Sequence, residues 1–144
     1  MVILGVDPRE TAELVGALED EDLTVRPSPF RKGLMACTGI EFCKLALGET
    51  KGRAMWIANE LEERLPHFDE DVRIHVNGCP NSCARFQVAD IGLMGAVQQR
   101  PDGTKSEAFL VHLGGALGEG GGFARKAKGV RVTPRTRPTT SRRC

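Results

Sequence analysis

Between Ala54 and Leu65 the apolar positions fall at helical spacing. Ala54, Ile57, Ala58, Leu61 and Leu65 line one stripe, and Arg53, Glu60, Glu62, Glu63 and Arg64 fill most of the rest. The pattern predicts an amphipathic helix that buries one face and stops at Pro66. Val72, Ile74 and Val76 then alternate as a strand that delivers the chain to Gly78. Residues 91–98 and 107–113 read as a hairpin around Pro101, Asp102 and Gly103, residue types that favour a turn. Nearer the start, residues 2–6 (VILGV) read as a short strand. Asp7 and Pro8 open a helix through Leu14 and Leu18, and Leu23 and Val25 suggest a second strand before Pro27 and Pro29 interrupt it. The fold class these elements predict is α+β.

Composition narrows the possibilities. A chain of 144 residues supports one modest core, or a core with part of a second unit. No apolar run approaches the length of a membrane helix, so no membrane partner is expected. The start carries no basic and apolar export signal, which predicts a cytoplasmic protein. The formal charge of +1 conceals an asymmetry, because residues 125–144 hold eight Lys or Arg and no acid. The body is acidic and the tail basic. Residues 127–144, rich in Arg, Thr and Pro, lack the apolar mass to bury themselves and are predicted to be a disordered basic tail. The tail has no aromatic residue for stacking and no folded reader motif, so no nucleic-acid partner is expected either.

The chemistry lies in two cysteine pairs, Cys37 with Cys43 and Cys79 with Cys83, in the segments ACTGIEFCKLA and NGCPNSCARFQVADIGLMG. Four thiolates can supply every ligand of a cubane iron–sulfur cluster. Pro80 suits the first position of a helix, which would put Cys79 at its cap and Cys83 one turn later on the same face. Free amides at such a helix start would favour an anionic cluster. Thr38 and Glu41 match a capping box and predict another helix after Cys37, through Phe42, Leu45 and Ala46. The same cysteines also admit other readings. Structural zinc pairs usually have two to four intervening residues, which fits Cys-x5-Cys poorly, and paired disulfides would need an oxidising compartment. Cys144 has no partner in the pattern and reads as an incidental thiol.

At these residues the chain resembles the siroheme-containing nitrite and sulfite reductases. Both pairs match in order, and Gly78, Cys79, Cys83, Asp90, Ile91, Gly92 and Leu93 meet the pattern around the second pair. Asn77 departs from the small hydroxyl or valine often found there, a departure expected to touch no ligand. The resemblance spans about residues 1–126 and implies three regions: part of a ferredoxin-like half-domain at 1–28, a 4Fe-4S and siroheme-binding domain at 29–126, and the tail at 127–144. It implies that Cys37, Cys43, Cys79 and Cys83 bind the 4Fe-4S cluster and that Cys83 bridges to the siroheme iron. The implied reaction is the six-electron reduction of nitrite to ammonia or sulfite to sulfide, with electrons from a donor such as ferredoxin. In the family the Lys and Arg that grip the anionic substrate come largely from upstream sequence. The chain is therefore expected to be the cofactor-binding portion of an oxidoreductase, partnered by the remainder of the reductase. A noncatalytic electron-transfer module and an inactive fragment are the alternatives.

Other residues carry weaker signals. The run HLGGALGEGGGF could bring backbone N–H groups at Gly114 and Gly115 close to the carboxylates of siroheme, although a flexible connector would look the same. Arg85 could pair with a carboxylate, and Asn81 could hold the cysteine loop through local hydrogen bonds. His112, alone at the end of a predicted strand, reads as a packed residue and not as an axial ligand.

Overall fold

The computed structural model describes residues 3–133. Its elements run α1 (Thr11–Asp20), α2 (Pro29–Lys32), β1 (Leu34–Ala36), α3 (Lys51–Arg64), β2 (Ile74–Asn77), a 3-10 turn (Phe86–Val88), β3 (Ile91–Gln99), β4 (Lys105–Leu113) and β5 (Arg125–Val132). One mixed sheet carries the strands in the order β1-β2-β3-β4-β5. β1, β2 and β3 are parallel, while β4 and β5 continue antiparallel. No helix of the described residues is long and apolar enough to cross a membrane.

The periodic segment becomes α3, with Ala54 and Ala58 buried as its stripe requires. It packs on the sheet through Ala54, Val76 and Phe109, with Leu34, Ala36, Ile57 and Leu93 around them. β2 is buried along its whole length. A central parallel strand is covered on both faces. Here α3 covers the Ile74 and Val76 side, and the chain after Asn77 folds back over the His75 side. The β3–β4 hairpin pairs Ile91 with Leu113 through to Gln99 with Lys105, and it turns at Gly103, whose φ of +80° glycine tolerates.

Several expected elements are absent. Ile3–Val6 and Leu23–Val25 form no strand, and α1 buries no side chain. An isolated short strand has no ladder to join, so its apolar residues cannot hold it extended. The predicted tail is in part structured: β5 reaches Val132 and pairs with β4, so an edge strand gained from backbone hydrogen bonding replaces disorder there. The rest of that prediction, and Cys144, lie outside the described residues. α2 is fastened to α3 by Arg31, which donates to both Glu62 oxygens at 2.8 and 2.9 Å, and to the segment after α3 by Phe30 stacked on Phe68.

Candidate functional site

β1 and β2 are neighbouring parallel strands, with Ala36 opposite Val76, so both chains leave the sheet at the same end. Ligand sites in open sheets gather at such carboxyl ends. Cys37 follows β1 directly, and Cys79 lies two residues beyond the last residue of β2. The two cysteine segments are thereby placed side by side although about forty residues separate them.

Neither segment is helical, contrary to both capping predictions. After Cys37 the chain makes tight turns: Cys43 N–H donates to Gly39 O at 2.9 Å and Ala46 N–H to Cys43 O at 3.1 Å. Gly39 has φ +73° and presses against Thr50, whose hydroxyl donates to Cys37 O at 2.6 Å. Thr38 and Glu41 resemble a cap in spacing only, because long-range bonds to Thr50 and Gly78 claim this backbone. After Cys79 the chain turns at Pro80 and Asn81, and Ser82 and Arg85 take left-handed backbone angles with φ +60° and +51°. Each such non-glycine residue costs about 1 kcal/mol, so the surrounding contacts must hold the loop against it. With no helix there, the expected helix dipole makes no contribution.

Gly78 joins the two loops. Its N–H donates to Cys37 Sγ at 3.2 Å, and its carbonyl accepts the Leu47 N–H at 2.7 Å. A Cβ at Gly78 would stand 2.9 Å from Ala46 Cβ and 3.0 Å from Gly48 O. The same residue rests on β3, where a Cβ at Gly95 would lie 2.2 Å from Gly78 O.

The second loop is held from beneath by β2. His75 Nδ1 lies 3.0 Å from Arg85 O, and Asn77 accepts the N–H groups of Cys83 at 3.0 Å and Ala84 at 3.1 Å. Asn77, which the sequence marked only as a departure from the family pattern, thus bonds the backbone of Cys83. Neither residue was read from the sequence as a support of this loop. The signal available for them was their polarity within a strand that is otherwise apolar. Phe86 seals the far end of the loop, its carbonyl 2.2 Å from where a Cβ at Gly92 would sit, and its ring 4.6 Å from that of His112.

All four cysteines are free thiols: Cys79 is buried, Cys37 and Cys43 are half-buried, and Cys83 is exposed. The fold brings their two loops together. Among the described residues it does not draw any three His, Cys, Asp or Glu side chains around a single ion. The remaining candidates divide. Asn81 is exposed, and its side chain makes none of the hydrogen bonds found among the described residues; Asn77 and His75 do that work. Arg85 is also exposed, directs its guanidinium to Met35 Sδ at 3.9 Å, and borders a cleft of about 330 Å³ with Lys32, Arg73, His75 and Leu117. Gly114 and Gly115 do not present free N–H groups, because these donate to Asp90 O at 3.0 Å and Ala89 O at 2.9 Å. Gly115 is required by packing against the second cysteine loop, where a Cβ would meet Gln87 O at 2.6 Å, whereas a Cβ at Gly114 would meet nothing within 4 Å and glycine there suits a φ of +75°. Arg73, which the sequence did not single out, donates to both Asp90 oxygens and to Gly115 O, tying the start of β2 to the end of that loop. Its hydrogen bonds hold the Asp90 carboxyl below the usual range.

Comparison with known proteins gives a consistent picture. The family described as nitrite and sulphite reductase 4Fe-4S domain matches residues 31–139. A sulfite reductase [ferredoxin] of Mycolicibacterium paratuberculosis is 51% identical over 137 residues, covering 92% of this chain and 25% of the relative. A chloroplastic ferredoxin–nitrite reductase of Zea mays is 46% identical over 101 residues, covering 70% of this chain and 18% of that protein. The solved structure of the Mycobacterium tuberculosis NirA protein superposes with a TM-score of 0.84 at 44% identity, covering 91% of this chain and 25% of that one. The chain thus spans about a quarter of the length of the mycobacterial relatives it matches.

Proposed function

Because the chain belongs to the nitrite and sulfite reductase 4Fe-4S domain family, we propose that Cys37, Cys43, Cys79 and Cys83 hold a 4Fe-4S cluster and that Cys83 also faces a siroheme. The observation that carries this reading is the junction at Gly78, whose two hydrogen bonds lock the first cysteine loop onto the second. The donor chemistry agrees: four free thiols in two loops are the soft ligand set that iron–sulfur clusters take. Their graded exposure suits the division of roles, with Cys79 inside and Cys83 outermost.

Siroheme is a polycarboxylate, and Arg85 is placed to meet it. Of the cations in the cleft beside the second loop, Arg73 is paired with Asp90 and Lys32 with Asp71. Arg85 forms no ion pair among the described residues, which leaves its planar fork for a carboxylate. When bound, the two cofactors supply the electron storage and iron-centred reduction that turn nitrite into ammonia or sulfite into sulfide, with electrons from a donor such as ferredoxin. The protein's part would be to fix the four sulfurs, with Cys79 buried and Cys83 exposed. In this reading the chain works as the cofactor-holding portion of a reductase in the cytoplasm, with the remainder of the enzyme completing the substrate pocket.

Anaerobic reconstitution with iron, sulfide and siroheme tests the proposal by absorption spectroscopy. Coupled cluster and siroheme bands are expected from the wild-type chain, and Cys83→Ser should uncouple them. Uptake of zinc without iron and sulfide would overturn the ligand assignment. A cluster spectrum that siroheme never alters would favour a noncatalytic electron-transfer module, and no uptake of any cofactor an inactive fragment.

A further inference from the structure

His75 and Asn77 alternate with Ile74 and Val76 along β2, so their side chains leave the face opposite α3. Both are buried, at 5% and 1% exposure. A polar side chain placed there costs free energy unless it finds partners, and both find them in the backbone of the second cysteine loop. With its amide oriented by its neighbours, Asn77 Oδ1 receives two successive N–H groups, those of Cys83 and Ala84. The left-handed turn at Ser82 aims these amides at one point. Such a pair of converging amides is a nest, a concavity that ordinarily collects an anion.

We propose that Asn77 is a positioning residue that fills this nest from beneath, fixing the backbone of Cys83 while withholding two N–H donors from the sulfur of the cluster. The inference rests on the assignment of Cys83 as a ligand. N–H groups directed at cluster sulfur stabilise the more negative, reduced state and so raise the reduction potential. Engaging them with a neutral amide instead keeps the potential low and leaves the Cys83 sulfur electron-rich, as a bridge to a second metal requires. His75 completes the clamp three residues on from Ser82, through the Arg85 carbonyl.

Two variants test this. Asn77→Ala removes the acceptor, and Asn77→Asp keeps its shape while adding charge. In the cofactor-free chain, amide exchange at Cys83 and Ala84 should accelerate about tenfold in Asn77→Ala, the scale of one lost hydrogen bond, and stay near wild type in Asn77→Asp. In the iron- and sulfide-loaded chain the midpoint potential should rise in Asn77→Ala and fall in Asn77→Asp. A residue serving structure alone would alter the loaded fraction without moving the potential of what loads. Unchanged exchange at both amides, or a wild-type potential in both variants, overturns the proposal. If Asn77→Ala fails to fold, the near-isosteric Asn77→Asp decides by its potential. If the wild-type chain takes up no iron, the ligand assignment fails, and the exchange measurement still decides whether Asn77 fills the nest.

Discussion

Replacing Gly78 by Ala puts one methyl group into the junction between the cysteine loops. The added carbon would stand 2.9 Å from Ala46 Cβ, 3.0 Å from Gly48 O and 3.4 Å from Thr50 Cγ2. Carbon atoms rest about 3.5–4.0 Å apart, so the first loop must retreat by roughly 0.6–1 Å. Overpacking of this kind costs about 1–3 kcal/mol. Ala also restricts the unfolded chain relative to Gly, which returns roughly 0.4–1 kcal/mol. The net expected loss is about 0.5–2 kcal/mol. The retreat stretches the N–H contact to Cys37 Sγ, now 3.2 Å, and the 2.7 Å bond from Leu47, so the sulfurs of the two loops move apart. Urea unfolding of the cofactor-free chain measures the first effect, and the iron-to-protein ratio after anaerobic reconstitution measures the second. Gly16→Ala in α1 is the control, since a Cβ there meets nothing within 4 Å. A Gly78→Ala chain with wild-type unfolding and full iron loading would refute the claim that Gly78 joins the loops.

The remaining predictions concern the supports of the site. Thr50→Val removes the hydroxyl that donates to the part-buried Cys37 carbonyl at 2.6 Å and should cost about 1 kcal/mol in urea unfolding, with Thr50→Ser restoring most of it. Asp90→Asn should be less stable than wild type at neutral pH. Because Arg73 lowers the native Asp90 pKa, the stabilisation is present above its ordinary value of 3.8 and disappears as pH falls through the lowered value; unfolding midpoints against pH should therefore converge in acid. The pair is partly exposed, so salt should shrink the difference. Burial holds the His112 imidazole below its ordinary 6.5, and its Nδ1 has no hydrogen-bond partner among the described residues. Stability should then decline as pH falls from 6.5 through the lowered value, and His112→Gln should flatten that part of the pH profile, read by thermal unfolding.

The first cysteine loop carries exposed apolar residues. Phe42 and Leu45 are 71% and 64% exposed, next to Cys43.

Local pattern alone specified much of this molecule. The stripe from Ala54 to Leu65 made α3, the turn residues at Pro101 to Gly103 made the hairpin, and the spacing and flanks of the cysteines identified the family, because each depends on neighbours within a few residues. Tertiary structure decided what local pattern could not. Thr38 and Pro80 carry helix-start signals, yet both segments are turns, since the bonds that hold them run to Thr50, Gly78, His75 and Asn77. Gly114 and Gly115 look like open donors until the fold places Ala89 and Asp90 against them. The side-by-side exit of Cys37 and Cys79 rests on parallel pairing of β1 with β2 across about forty residues, and parallel strands carry no turn signal to announce their partner.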